Sequence, residues 1–192
     1  MAAGKVTTGF SKPYVAVYAA SGGTVTYSNG TLLGRGREIT ITAESTDDNI
    51  FYADNVAAEN DGGRFTGGTA SITIDGLLAE TRKLIYGLPT AQDGWTNFGD
   101  DMVIPYVGIG GIIRRMSDGV TTYVPVVLTK CRFNIAEDSA STQEESIDWQ
   151  TETLEASIFR DDSSNHVWKK IGDDQTSEAA AEAVIKTLFG IS

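Results

Sequence analysis

Between Arg37 and Glu44 apolar and polar residues alternate without a break. Ile39, Ile41 and Ala43 share one parity, and Glu38, Thr40, Thr42 and Glu44 the other. A period of two marks a strand buried on one face only, because successive side chains point to opposite sides of a pleated backbone. The pattern returns over 66–75, where Ala70, Ile72 and Ile74 oppose Thr69, Ser71, Thr73 and Asp75. Two half-buried strands of this kind constrain the chain to a β-rich domain whose core lies against their apolar faces.

The neighbouring segments extend that reading. YVAVY (14–18) and TVTYS (24–28) are short and β-branched or aromatic, with Ser21-Gly22-Gly23 between them, and read as a hairpin. Asn29-Gly30 reads as a further turn, since both residues tolerate positive φ. Segments of about 101–115 and 120–135 flank the turn formers Met116-Ser117-Asp118-Gly119. They carry apolar residues on both faces, Val103 and Ile104 in the first and Val126 and Val127 in the second, as expected of strands in a core or an interface. Another extended segment runs over about 143–159, with Ile147 and Trp149 on one parity, Leu154, Ala156 and Ile158 on the other, and a bulge or bend near 151–153.

Two helices are expected. One covers about 76–86, capped by Asp75, stopped by Gly87 and Pro89, with Leu77, Leu78, Leu84 and Ile85 as its buried stripe. The other covers 177–189: Ser177 can cap it, Glu178 suits its positive end and Gly190 ends it. Ala181, Val184, Ile185, Leu188 and Phe189 share one face. Residues 1–12 read as an N-terminal arm and 88–100 as a loop. Residues 45–65 read as a long inter-strand loop whose polar ends enclose Ile50, Phe51, Tyr52 and Val56, an apolar tip that needs a partner surface.

No composition shift, repeat or linker divides the 192 residues, so 1–192 reads as a single domain, mainly β with two α-helices. The formal net charge of −11 disfavours attractive binding to nucleic acid or an anionic membrane, while permitting passive contact with DNA. No run approaches the roughly 18 apolar residues of a membrane span, and MAAGKVTT lacks the apolar stretch of a secretory signal; synthesis in the cytosol is expected. Cys131 is the only cysteine and cannot form an intrachain disulfide.

No constellation for catalysis, metal or cofactor emerges. His166 is the sole histidine, lies among turn formers, and has no nucleophile elbow to serve. Cys131 sits inside a strand, its basic neighbours Lys130 and Arg132 sent to the opposite face, and reads as a small buried residue. The run Gly108-Ile109-Gly110-Gly111-Ile112-Ile113 loses the last glycine of a dinucleotide fingerprint to Ile113 and continues as a strand; its glycines fit a bulky neighbour lying on the sheet. Asp47-Asp48, Glu59-Asn60-Asp61 and Asp161-Asp162 lack the spacing of a calcium loop and read as solvated loop charge. Asn29-Gly30-Thr31 matches a glycosylation sequon, but the turn reading takes precedence. An enzyme is the least supported class.

One non-catalytic set stands out. The polar faces of the strands at 38–44, 69–75 and 144–152 comprise Glu38, Thr40, Thr42, Glu44, Thr69, Ser71, Thr73, Asp75, Glu144, Ser146, Asp148, Gln150 and Glu152, with no basic residue among them. They form either ordinary solvent faces of an acidic protein or a wall past which a polyanion must slide.

The tracts YSNGTLLGRGREITI, IFYADNVAAE, FTGGTASITIDGLL, PYVGIGGIIRR and EESIDWQTETLEASI, in that order over about 27–159, resemble the phi13-type major tail protein of long, non-contractile-tailed bacteriophages. Trp168 and the Ala-rich helix also fit. The resemblance implies a tail tube subunit with a β-sandwich or barrel-like fold flanked by a helix, six copies per ring and rings stacked into a tube. Inner-sheet strands would join one continuous barrel across subunits. It further implies a place in the virion tail, assembly in the host bacterial cytoplasm, and tape-measure, tail terminator and distal tail proteins as partners besides self. On it, Phe51, Tyr52 and Asn55 are inter-ring contacts, and Glu38, Thr40, Thr42, Glu44, Ser71, Thr73, Asp148 and Glu152 face the lumen. The alternatives are a tube subunit of a secretion or contractile injection device, which shares the physics but conducts other cargo, and a small-ligand-binding β-barrel.

Overall fold

The computed structural model describes residues 4–89, 94–136 and 150–191. Within them the chain runs β1 (Val6–Ser21), β2 (Thr24–Leu32), β3 (Gly36–Ser45), β4 (Asn49–Ala53), β5 (Val56–Asp61), β6 (Phe65–Ile74), α1 (Ala79–Tyr86), β7 (Val107–Ser117), β8 (Val120–Phe133), β9 (Glu152–Phe159), β10 (Lys169–Ile171) and α2 (Glu178–Phe189). One eight-stranded antiparallel sheet has the order β2-β1-β7-β8-β9-β6-β3, with β10 pairing β8; β4 and β5 form a separate two-stranded sheet.

The large sheet doubles back on itself. Ile72, Ile74, Leu154, Ala156 and Ile158, on the inner face of the β9-β6-β3 half, pack in one core with Val15, Val107, Ile109 and Leu128 of β1, β7 and β8. Ile39 and Ile41 close it from β3, and Ile85 and Tyr86 of α1 cap one end. The other face of β1-β7-β8 is covered by α2, where Tyr14, Ala16, Ile112 and Val127 meet Ala181, Ile185 and Phe189. The chain is mainly β with two helices, built as an open β-sandwich: β3 comes close to β1, yet among the described residues pairs only with β6.

The two-sided apolar strands are the middle layer of this stack. Val126 and Val127 are both buried because α2 takes one face and the β3 side the other. The glycines of β7 make this possible. A Cβ on Gly110 would lie 2.8 Å from Ile185 and 3.1 Å from Phe189, and one on Gly108 would lie 2.5 Å from Tyr27. The run 108–113 therefore seats the helix and the Tyr27 ring, a packing role for which only hydrogen leaves room.

Helix α2 follows its sequence signals. Ser177 accepts from the Ala180 amide, and Gly190 ends the helix at φ 64°. The buried stripe is Ala181, Ile185 and Phe189, while Val184 is 44% exposed. Helix α1 departs from expectation. It starts at Ala79 with Leu78 as an N-cap that makes no side-chain bond. Asp75 is occupied elsewhere, accepting from the Arg35 backbone N–H at 2.8 Å and its Nε at 2.6 Å, which holds its carboxyl below the usual range. With the start moved, Leu78 points to solvent and Thr81 takes a buried place beside Ile85.

Other boundaries shift for equally local reasons. The expected arm is strand from Val6 onward, paired with β7. Asn29-Gly30 lies inside β2 as a bulge opposite Ala16, Asn29 at φ 52°, so the positive φ is correct and the turn is not. Strand β7 begins at Val107, which leaves Val103 in an exposed connection. The turn between β7 and β8 is Asp118-Gly119, both at positive φ, as a two-residue hairpin requires. The part of the 143–159 segment before 150, with Ile147 and Trp149, lies outside the described residues.

Candidate assembly surfaces

The outer face of the β3-β6-β9 half is a polar lattice fixed by register. Glu38 lies beside Thr73 and Thr73 beside Thr153; Thr40 beside Ser71 and Ser71 beside Glu155; Thr42 beside Thr69 and Thr69 beside Ser157. Three rows of hydroxyls and carboxylates result, because alternation sends Ile39, Ile41, Ile72, Leu154 and their neighbours inward. Thr73 and Thr153 join across the lattice, Oγ to Oγ at 3.1 Å. Glu44 continues the face opposite Gly67.

Strand β9 corrects the expected set. Its outward residues are Thr153, Glu155, Ser157 and, at the end of the strand, the exposed Phe159 beside Lys130, since Leu154, Ala156 and Ile158 are buried. Glu152 pairs with Ile74 and belongs to the inward parity. It accepts from the Leu77 amide at 2.9 Å and from the Arg82 guanidinium at 3.3 Å, fastening the approach to α1, and is no part of the outer face. Glu144, Ser146 and Asp148 lie outside the described residues. The third row also runs on into β8, where Arg132 pairs with Ser157, so the face ends at a cation.

The expected loop 45–65 is a projecting hairpin. β4 and β5 continue the β3–β6 pair outward, joined by Asp54 and Asn55 at φ 49° and 64°. Two consecutive left-handed residues match the right-handed twist of the flanking strands. Asn55 therefore serves the turn. Every residue of β4 and β5 is exposed, Phe51 by 63% and Tyr52 by 62%. Their successive positions place the two rings on opposite faces of the hairpin. Phe51 shares a face with Glu59, and Tyr52 with Ile50 and Asn60.

The remaining polar groups are structural. Asp161, expected in solvent, is buried and accepts from the Ser163 amide at 3.1 Å and Oγ at 2.5 Å. Asp162 accepts from Lys130 Nζ and the Tyr18 hydroxyl, each at 2.7 Å, and Lys130 also lies 4.8 Å from the Tyr106 ring centre. Burial pushes the Tyr18 hydroxyl up to about 12. His166 is exposed, with Nδ1 3.2 Å from the Asp161 carbonyl oxygen. Burial raises the Cys131 thiol well above its ordinary value, the reverse of what a nucleophile needs.

Among the described residues the two halves of the sandwich pack closely against each other. A void among Phe10, Ile39, Ile41, Ile109 and Leu128 has room for about 10 Å³, around the size of one water and far below a ligand cavity. A polar cleft of about 760 Å³ between Asp75, Arg82 and Asn134 borders the ends that lead into 137–149. Among the described residues no group of three or more His, Cys, Asp or Glu side chains could hold a metal, and no helix is long and apolar enough to cross a membrane. No protein-family model matches this chain, and no curated protein matches it in sequence.

Proposed function

We propose that this chain is the subunit of a bacteriophage tail tube, assembling in the host cytoplasm into stacked hexameric rings that conduct the viral DNA. The observation that carries the reading is the outer face of β3-β6-β9. Its three rows hold only Thr, Ser and Glu up to the bordering Arg132. Such a face repels phosphate and offers it no cation along most of its width, a useful property in a channel wall. The collinear resemblance to the phi13-type tail proteins supplies the ring count and the cargo. Tape-measure, tail terminator and distal tail proteins are the further partners of such a tube.

The physical support is consistent with that role. Among the described residues the sheet ends at β2 and β3, whose outer edges are open, and a barrel made across subunits would satisfy both. The void between the sheet halves at Phe10, Ile39, Ile41, Ile109 and Leu128, with room for about 10 Å³, is far smaller than the apolar cavity a ligand-binding barrel needs. Negative-stain microscopy of the concentrated protein, alone and with tail initiator proteins, tests the reading. Six-fold rings or tubes are expected; a chain that stays monomeric in every mixture refutes it.

A further inference from the structure

The Asn29-Gly30 bulge brings together groups that can react with each other. Asn29 is the only asparagine of the chain followed by glycine, and it is exposed. A glycine amide has no Cβ beside it to hinder attack on the neighbouring side-chain carbonyl carbon. Asn29 and Gly30 together stand against Ala16, so the ladder is locally broken, and among the described residues the outer edge of β2 has no strand beside it. Water therefore reaches the site.

The end of α2 opposes the reaction. A Cβ on Gly30 would meet the Ile191 side chain, with Cδ1 at 2.7 Å, and the Phe189 carbonyl oxygen at 3.2 Å. Tyr27 of the same strand rests against Phe189, ring centres 5.0 Å apart, and Asn29 is held at φ 52°. Closing a five-membered ring onto Asn29 requires the Asn29–Gly30 peptide to rotate, and a rotating Gly30 presses on Ile191. Ile191 lies beyond the αL cap Gly190, its N–H donating to the Lys186 carbonyl at 2.9 Å. Helix ends open locally at far lower cost than the core unfolds.

We propose that Asn29 is a deamidation site whose rate is set by the docking of Ile191 on Gly30. When Ile191 lifts, the Gly30 nitrogen gives its proton to solvent and attacks Asn29 Cγ; the Cγ–Nδ2 bond breaks, and ammonia leaves behind a cyclic imide. Water then opens the ring at Cγ, giving aspartate, or at the main-chain carbonyl carbon, giving isoaspartate with an extra methylene in the backbone. Water enters, ammonia leaves, and nothing is oxidised or reduced. The lengthened main chain cannot reseat beneath Ile191 without displacing it, so the product loosens α2 from β2.

The test ages the full-length chain at mildly alkaline pH and follows position 29 by peptide mapping and isoaspartate labelling. Product at 29 is expected in the folded chain, more slowly than in urea. Ile191→Ala, which trims a half-buried side chain, should speed it roughly fivefold. Asn29→Gly keeps the positive φ and has no side-chain amide; it should age without the loss of Tm that the parent shows. Hydrogen exchange separates local lifting from global unfolding: in Ile191→Ala it should quicken at residue 191 and hold steady at the buried Leu154. No product at 29 in either folded form, a folded parent as fast as the chain in urea, equal rates with and without Ile191, or equal quickening at Leu154 overturns the inference.

Discussion

Gly110→Ala tests how closely α2 is seated on the sheet. The new methyl would lie 2.8 Å from Ile185 Cγ2 and 3.1 Å from Phe189 Cε2, where carbon atoms prefer about 3.5–4.0 Å. Neither neighbour can yield at a flexible end, since both are fully buried on a helix capped at each terminus. Overpacking by one methyl group in such a place costs about 1–3 kcal/mol. At a central value of about 2 kcal/mol, and about 2–4 °C per kcal/mol for a chain of this size, Tm falls by about 4–8 °C. Thermal and urea unfolding at one fixed protein concentration measure it, because assembly makes Tm depend on concentration. Ile185→Ala alone leaves a cavity and costs about 2–5 kcal/mol. In the double variant the added methyl fills part of that cavity, so the two losses fall short of their sum by about 1–2 kcal/mol. A Gly110→Ala protein within about 0.5 kcal/mol of the parent, or strict additivity with Ile185→Ala, refutes the seating argument.

Glu182 gives a pH signature. Lys12, the Tyr14 hydroxyl at 2.6 Å and Lys186 at 3.2 Å surround its carboxylate and hold it near 2, down from 4.5. A depressed carboxyl stabilises the fold above its unfolded value, so this contribution of about 1–2 kcal/mol is lost as pH falls from 4.5 towards 2. Glu182→Gln should flatten the corresponding part of the Tm–pH curve; a curve parallel to the parent's would contradict the clasp. Phe51→Ala with Tyr52→Ala should leave the monomer's unfolding within about 0.5 kcal/mol, as for exposed positions, while sedimentation shows weakened assembly; equal loss in the monomer would count against a docking role. Glu38→Lys with Glu155→Lys should fold normally yet retain DNA, seen as slowed ejection from tails or as salt-sensitive DNA binding by tubes. Unchanged passage would remove the electrostatic argument for the lattice.

Where one physical rule governed a segment, the sequence was legible. Alternation alone placed β3 and β6 and told their faces apart, and the Ser177 and Gly190 signals fixed α2. Errors arose where two rules competed. Asp75 is a good cap by residue type, but Arg35, forty positions away, binds it first. Asn29-Gly30 has turn chemistry, but pairing with β1 converts it to a bulge. Glu152 looks like part of the polar face until the burial of Leu154 sets the parity. The hairpin was the one element with an overlooked local signal: Asp54-Asn55 between IFYA and VAA has turn formers flanked by apolar residues. As for the lattice, its rows depend on the pairing of strands distant in sequence, which no local pattern encodes.

Among the described residues, β2 and β3 each pair on one side only. Open edges are a hazard in a crowded cell, because any extended chain can add to them. Both edges here carry deterrents. β3 displays Glu38 and Glu44 along its length, and the Asn29 bulge breaks the even spacing of β2. Casual pairing is thus penalised, while a partner of matching charge and curvature is not. On the tube reading proposed above, the same strands would also act as a filter on timing: a freshly made chain would wait until a correctly shaped template arrived, and growth would be confined to the end of an existing array.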